Sequence, residues 1–293
     1  MGLRTTISER QRRLGFELKR LRESAGLSAA DAAARIGMGR AQLSQIETAK
    51  TSILTDRLLA LCETYGCTNK PYVDALVALS ESTGKGWWSA YKNRIGPGAL
   101  DLAELESTAT VLHCHESLFV PGLLQTEEYT RAILGSATPA HGSVDDAVGF
   151  RMDRQRILTS DAPPTVHAVM HEAALHMRFG GSRVMRAQLL HLIELAQLPH
   201  VTVQVFPFEA GVYAAYTGNF LHAAPAVRAL GTVLLEHPIA SLHLSEPRHL
   251  AEYETLFDAL TEHALAPIDA QAAPASHEAK DSLALIQHLL YTV

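Results

Sequence analysis

The chain has 293 residues, 47% hydrophobic and 19% charged, enough apolar material for two domains with cores of their own. No apolar run reaches the ~18 residues that a membrane-spanning helix needs, and the polar, arginine-containing start does not read as a secretory leader. Charge is unevenly divided: residues 1–70 carry 12 Lys and Arg against 7 Asp and Glu, 12 − 7 = +5, and the remainder carries 25 − 12 = 13 against 31 − 7 = 24, 13 − 24 = −11. A basic segment is drawn to phosphate, and an acidic body joined to it is kept off. Three scattered thiols, Cys62, Cys67 and Cys114, suit a reducing cytoplasm.

Leu14, Leu18 and Leu21 fall at i, i+4, i+7 and predict a helix over about 8–24, ended by Gly26. Residues 28–50, SAADAAARIGMGRAQLSQIETAK, then read as two short helices joined by a tight turn. Ser28 caps the first, and Ala32, Ala33 and Ile36 give it a small apolar face that a second helix can cross closely. Gly37 stops it in a left-handed conformation. The second helix runs from about Arg40 to Thr48, with Leu43 and Ile46 inward and Arg40, Ala41, Gln42, Ser44 and Gln45 outward. That pattern is a helix-turn-helix. Arginine and glutamine at the exposed start of such a helix can bond guanine and adenine edges in a major groove. A fourth helix, capped by Thr55, carries Leu58, Leu59, Cys62 and Tyr65, and a fifth, over about 70–80, carries Tyr72, Val73, Leu76 and Leu79.

LKRLRESAGLS at 18–28 and RIGMGRAQLSQIETAK at 35–50 resemble the Xre-type, phage-repressor-like regulators. The resemblance implies a five-helix, all-α DNA-binding domain on double-stranded DNA. Its base-reading positions fall on Arg40, Ala41 and Gln45, with Gln42 and Ser44 nearby and Ser28 and Lys50 flanking. It also implies an internal ion pair between Arg22 and Glu47. Two positions depart from the family pattern: Ala29 stands where a phosphate-gripping glutamine is common, and Ala49 where a glycine often follows the recognition helix.

KGWW at 85–88, FVPGLLQTEEYTRAIL at 119–134, RMDRQRIL at 151–158, HVTVQVFPFEAG at 200–211 and LLEHP at 234–238 extend the resemblance to the actinobacterial WhiJ-like regulators. This implies a C-terminal domain of unknown function and, in many members, a small separately encoded partner protein, sometimes antitoxin-like. The division reads 1–82 for the DNA-binding domain, 83–98 for a junction rich in glycine, and 99–293 for an α+β domain with a mixed sheet. Its predicted elements are a helix at about 99–107, a strand from Thr110 to Ser117, helices at 124–135 and 143–160, a strand from Thr165 to Met170, and a helix at 182–197. The strand 200–208 follows, then closely spaced strands near 218–224, 231–236 and 240–245, which suggest antiparallel pairing. Helices at 247–264 and 278–290 flank an Ala- and Pro-rich connector, 264–275.

No catalytic constellation and no cofactor motif stands out. His171 and His176 are five apart, which turns them ~140° from one another on a regular helix, so they cannot share one metal. His113 and His115 share a strand face and could be ligands, though a fortuitous pair among 15 histidines explains them as well. Phe206, Phe208, Tyr213, Tyr216 and Phe220, with Glu209 and Glu236 as polar anchors, describe either a ligand pocket or an ordinary core. Trp87 and Trp88 read as packing residues at the junction. The expectation is a cytoplasmic, homodimeric, sequence-specific transcriptional regulator and not an enzyme. Its acidic domain dimerises, senses a small molecule, or receives a partner protein. Two other classes remain open: an antitoxin-like interaction protein, and an enzyme that a DNA-binding domain localises.

Overall fold

The computed structural model describes residues 4, 6–136, 141–211, 218–237, 241–269 and 281–292. The chain divides into two compact units, Met1–Gly86 and Trp87–Val293.

The first unit is all-α, with α1 (Glu9–Ser24), α2 (Ala29–Arg35), α3 (Arg40–Glu47), α4 (Thr55–Thr64) and α5 (Lys70–Glu81). Ser8 and Gln11 form a reciprocal capping box at the start of α1. Gly15 sits where α1 meets α3: a Cβ there would lie 2.5 Å from the Glu47 carbonyl oxygen, so only glycine permits that approach. Leu58, Leu61, Cys62 and Tyr65 make the buried stripe of α4 at i, i+3, i+4, i+7. Leu59, read from the sequence as part of that stripe, is exposed because it lies one residue, about 100°, around the helix from Leu58.

The second unit is a mixed six-stranded sheet with helices on both faces. Its helices are α6 (Pro97–Thr108), α7 (Glu127–Leu134), α8 (Val144–Gln155), α9 (Glu172–His176), α10 (Ser182–Leu195), α11 (Pro247–His263) and α12 (Ser282–Thr292). Its strands are β1 (Val111–Glu116), β2 (Thr165–His171), β3 (Val201–Phe206), β4 (Phe220–Ala224), β5 (Thr232–Leu235) and β6 (Leu242–Leu244), in spatial order β3-β2-β1-β4-β5-β6. β1, β2 and β3 run parallel, and β4, β5 and β6 join antiparallel on the other side of β1.

The pleat sorts the side chains. Leu112 and Cys114 of β1, with Val166, Ala168 and Met170 of β2, face the core built with α7, α10 and α12. Val169, Phe206, Phe220 and Val233 face the other way, onto Leu250, Phe257 and Leu260 of α11. His113 also takes that face, stacked on Phe257 at 4.3 Å and flanked by His167 and His222 at 6.2 and 6.1 Å. Among the described residues, no group of three or more His, Cys, Asp or Glu has the arrangement to hold a metal ion, and no helix is long and apolar enough to cross a membrane.

Local chemistry moves several predicted boundaries. The segment 143–160 divides: α8 begins in a Ser143–Asp146 capping box and gives way at Gln155 to a 3-10 turn over Arg156–Thr159. Residues 122–124 form a separate 3-10 turn, and α7 begins only after the Thr126 cap. His171 ends β2 and caps α9 by accepting the Ala173 amide, so of the two histidines only His176 lies within the helix. Trp87 and Trp88 lie in a 3-10 turn, where Trp87 packs on Tyr91 and Phe150 at 6.1 and 5.2 Å. The connector's residues beyond 269 lie outside the described residues.

Candidate nucleic-acid interface

The Ser28 hydroxyl accepts the Asp31 amide at 3.1 Å and donates to the Asp31 carboxylate at 2.6 Å, which fixes the first turn of α2. Ala32 and Ala33 are fully buried, and their small side chains let α2 and α3 pack closely. Gly37 takes φ 63 and ends α2, and Gly39 opens α3. Leu43 and Ile46 anchor α3 in the core, whereas Arg40, Ala41, Gln42 and Ser44 are exposed and Gln45 is half-buried. The outward face of α3 is therefore polar over its first turn and a half.

Ala49 takes φ 60, the left-handed conformation that glycine adopts freely and alanine does not. The turn is over-determined by its hydrogen bonds: Lys50 and Thr51 amides reach the Gln45 carbonyl at 2.8 and 3.3 Å. Arg4 then donates to the Ala49 and Thr51 carbonyls at 2.7 and 2.9 Å. The turn after α3 is thus kept with alanine, under strain.

The cations of this unit divide into two sets. Arg22 is bidentate to Glu47, at 2.6 and 3.1 Å, and donates to the Leu27 carbonyl at 2.8 Å. Both side chains are nearly buried, and the Glu47 hydrogen bond raises the Arg22 pKa. Arg13 and Arg20 converge on Glu17 at 3.0 and 2.8 Å, and the Tyr72 hydroxyl donates to the same carboxylate. Burial, then the hydrogen bond to Glu17, raises the Tyr72 pKa. Neither Glu17 nor Tyr72 stood out in the sequence, because they are 55 residues apart and only the packing of α1 on α5 joins them. By contrast Arg35, Arg40, Lys50 and Arg57 are exposed and have no ion pair among the described residues. Arg40 opens α3, Lys50 follows it, and Arg57 lies in the first turn of α4.

Among the described residues read as an aromatic pocket, Phe206 and Phe220 share a core while Phe208 and Glu236 lie apart from it. Phe206 and Phe220 are core residues against α11. Phe208 is 57% exposed in a 3-10 turn beside His171 and His176. Glu236 follows β5 at the edge of a cavity on the opposite face of the sheet. Tyr213 and Tyr216 lie outside the described residues.

Two family models match. A helix-turn-helix domain covers residues 13–75, and a domain of unknown function, DUF5753, covers residues 99–273. No curated protein and no solved structure matches the chain. A helix-turn-helix domain is a DNA-binding module. The second match spans more than half of the sequence, so the chain belongs to the DUF5753 family and carries a helix-turn-helix domain ahead of that domain.

Proposed function

We propose that the chain is a cytoplasmic, sequence-specific transcriptional regulator of the Xre type, similar to the WhiJ-like group, with α3 as its recognition helix. Arg40 and Gln45 read base edges, Ala41, Gln42 and Ser44 shape the fit to the groove, and Ser28 and Lys50 hold phosphates. The observation that carries this reading is the division of α3. Leu43 and Ile46 lock it into the core, while Arg40 stands exposed at its start without an internal partner. The paired arginines of α1 leave a small set of cations without ion pairs among the described residues, of which Arg35, Arg40 and Lys50 lie on or next to α2 and α3.

One short recognition helix reads only a few base pairs, so useful specificity requires two copies on paired half-sites. The proposed dimer contact lies in the second unit. Selection of bound duplexes from a random DNA library by the full chain tests the reading. The expected result is one recurring sequence with two-fold symmetry. Recovery of sequences with no common feature would overturn it.

A further inference from the structure

β1 is the point at which the sheet changes direction. β2 and β3 lie parallel to it on one side, and β4 and β5 lie on the other. In open α/β sheets the crevice at the carboxyl ends of the strands at such a reversal is the usual ligand position. Here that end is occupied by Glu116, the last residue of β1, and by Glu236, the residue after β5. The two sit on one face, because Leu221 pairs with Cys114 and Leu234 with Leu221 in register.

The segment 120–126 and α8 build the roof over this end. Gln125 donates to the Val120 carbonyl at 2.6 Å and accepts from Arg151 at 2.8 Å. Gln155 ties down the Gly122 and Gln125 carbonyls at 2.9 and 2.8 Å. A Cβ at Gly122 would lie 2.2 Å from an Arg154 guanidinium nitrogen, so a side chain there would displace Arg154. These contacts give a physical reason for the FVPGLLQT and RMDRQRIL motifs. Beneath the roof lies a cavity of about 60 Å³, room for about four water molecules.

Its polar wall is Glu106, Glu116, Glu236, Arg154 and Asn219, and leucines from α6, β1, β4 and β5 form much of the rest. Glu106 is 3% and Arg154 8% exposed. They approach to 3.2 Å, yet neither the Glu106 Oε2 nor the Arg154 Nε completes a hydrogen bond. Glu116 has no hydrogen-bond or ion-pair partner among the described residues. Arg151, the other cation nearby, is committed to Gln125. With all three carboxyls ionised against two guanidiniums, 3 − 2 = 1 negative charge is left over for a bound cation to neutralise.

We propose that this cavity binds a small organic cation, a primary ammonium on a short apolar body, whose N–H groups donate to Glu116 and Glu106. An anion would be repelled by Glu236 and by the ionised fractions of Glu106 and Glu116, and the Arg154 guanidinium already faces Glu106. A neutral apolar guest would leave the buried carboxylate oxygens unpaired. Burial, then Glu236, pushes the Glu116 carboxyl up to about 8, opposed by Arg151 and Arg154, and burial raises Glu106 to about 7. Glu116 therefore gives up a proton when the cation arrives, and binding tightens as pH rises from about 6 to about 8.

Calorimetric titration of the full chain with n-butylammonium tests this, with butyrate as the control ligand. The expected result is saturable binding of n-butylammonium, tighter at the higher pH, and none of butyrate. Glu116→Gln, isosteric and uncharged, should weaken binding at least about tenfold, the worth of one charged hydrogen bond. Glu236→Gln, at an exposed position that the fold does not depend on, should weaken it several-fold. Absence of saturable n-butylammonium binding, equal binding of butyrate, or unchanged affinity in both variants would overturn the proposal.

Discussion

The Arg22–Glu47 pair of the first unit and the Glu106–Arg154 pair of the second treat buried charge in opposite ways. In the first, Glu47 has both oxygens on Arg22, whereas Glu17 takes Arg20 and Tyr72 on one oxygen and completes no hydrogen bond with the other, Oε1. In the second, Glu106 and Arg154 face one another without a completed hydrogen bond, and Glu116 faces open space. A buried pair with every lone pair used sets geometry, and one with lone pairs left over costs stability unless something else fills them. The first arrangement fixes α3 against α1 and leaves Arg40 outside. The second is what a ligand site looks like before its ligand arrives.

The sharpest way to break this contrast is to remove one partner of the completed pair. Glu47→Ala leaves the Arg22 guanidinium nearly buried and uncompensated, and should cost about 3–5 kcal/mol in urea denaturation. The double replacement Arg22→Met, Glu47→Leu should cost clearly less, and equal costs for the two would show the pair to be idle. Next in size is Gly15→Ala. The added methyl meets the Glu47 carbonyl oxygen at 2.5 Å and should cost about 1–3 kcal/mol by forcing α1 from α3. A neutral result would mean that α1 and α3 are less tightly joined than their contact implies.

The uncompleted charges make a different prediction, read from pH. Glu116 and Glu106 have folded pKa values of about 8 and about 7, above their ordinary values, so between about 4.5 and 8 the folded state holds protons that the unfolded state has released. Stability of the free protein should fall as pH rises through that window. Glu116→Gln should flatten the fall at its upper end, and an unaltered slope would place Glu116 in water. The smallest effect is at the strained turn. Ala49→Gly relieves a left-handed alanine and should raise stability by about 0.5 kcal/mol, visible as a small rise in Tm.

Much of this fold could be read along the chain. The Leu14, Leu18 and Leu21 spacing gave α1, Ser28 and Gly37 bounded α2, and the alternation in HVTVQVF gave β3. These signals are local: a cap, a stop and a period each lie within a few residues of what they determine. The parallel order of β1, β2 and β3 was not legible, since register depends on partners 54 and 35 residues away. The same applies to the Glu17 network and to the cavity, whose walls come from residues 102–124, 154 and 219–236. The aromatic cluster around Phe206 read as either a pocket or a core, because the sequence does not show which way each ring faces. The pleat instead sends Phe206 into the core and leaves Phe208 in a surface turn.

The central claim is that α3 reads bases while α1 only supports it. Its most direct test is to repeat the duplex selection with Arg40→Ala and Gln45→Ala chains. Each variant should lose preference at one base position in each half-site and about 1–3 kcal/mol of specific affinity, with non-specific binding nearly unchanged. A selected sequence identical to that of the unaltered chain in both variants would contradict the account, because it would put the reading surface elsewhere.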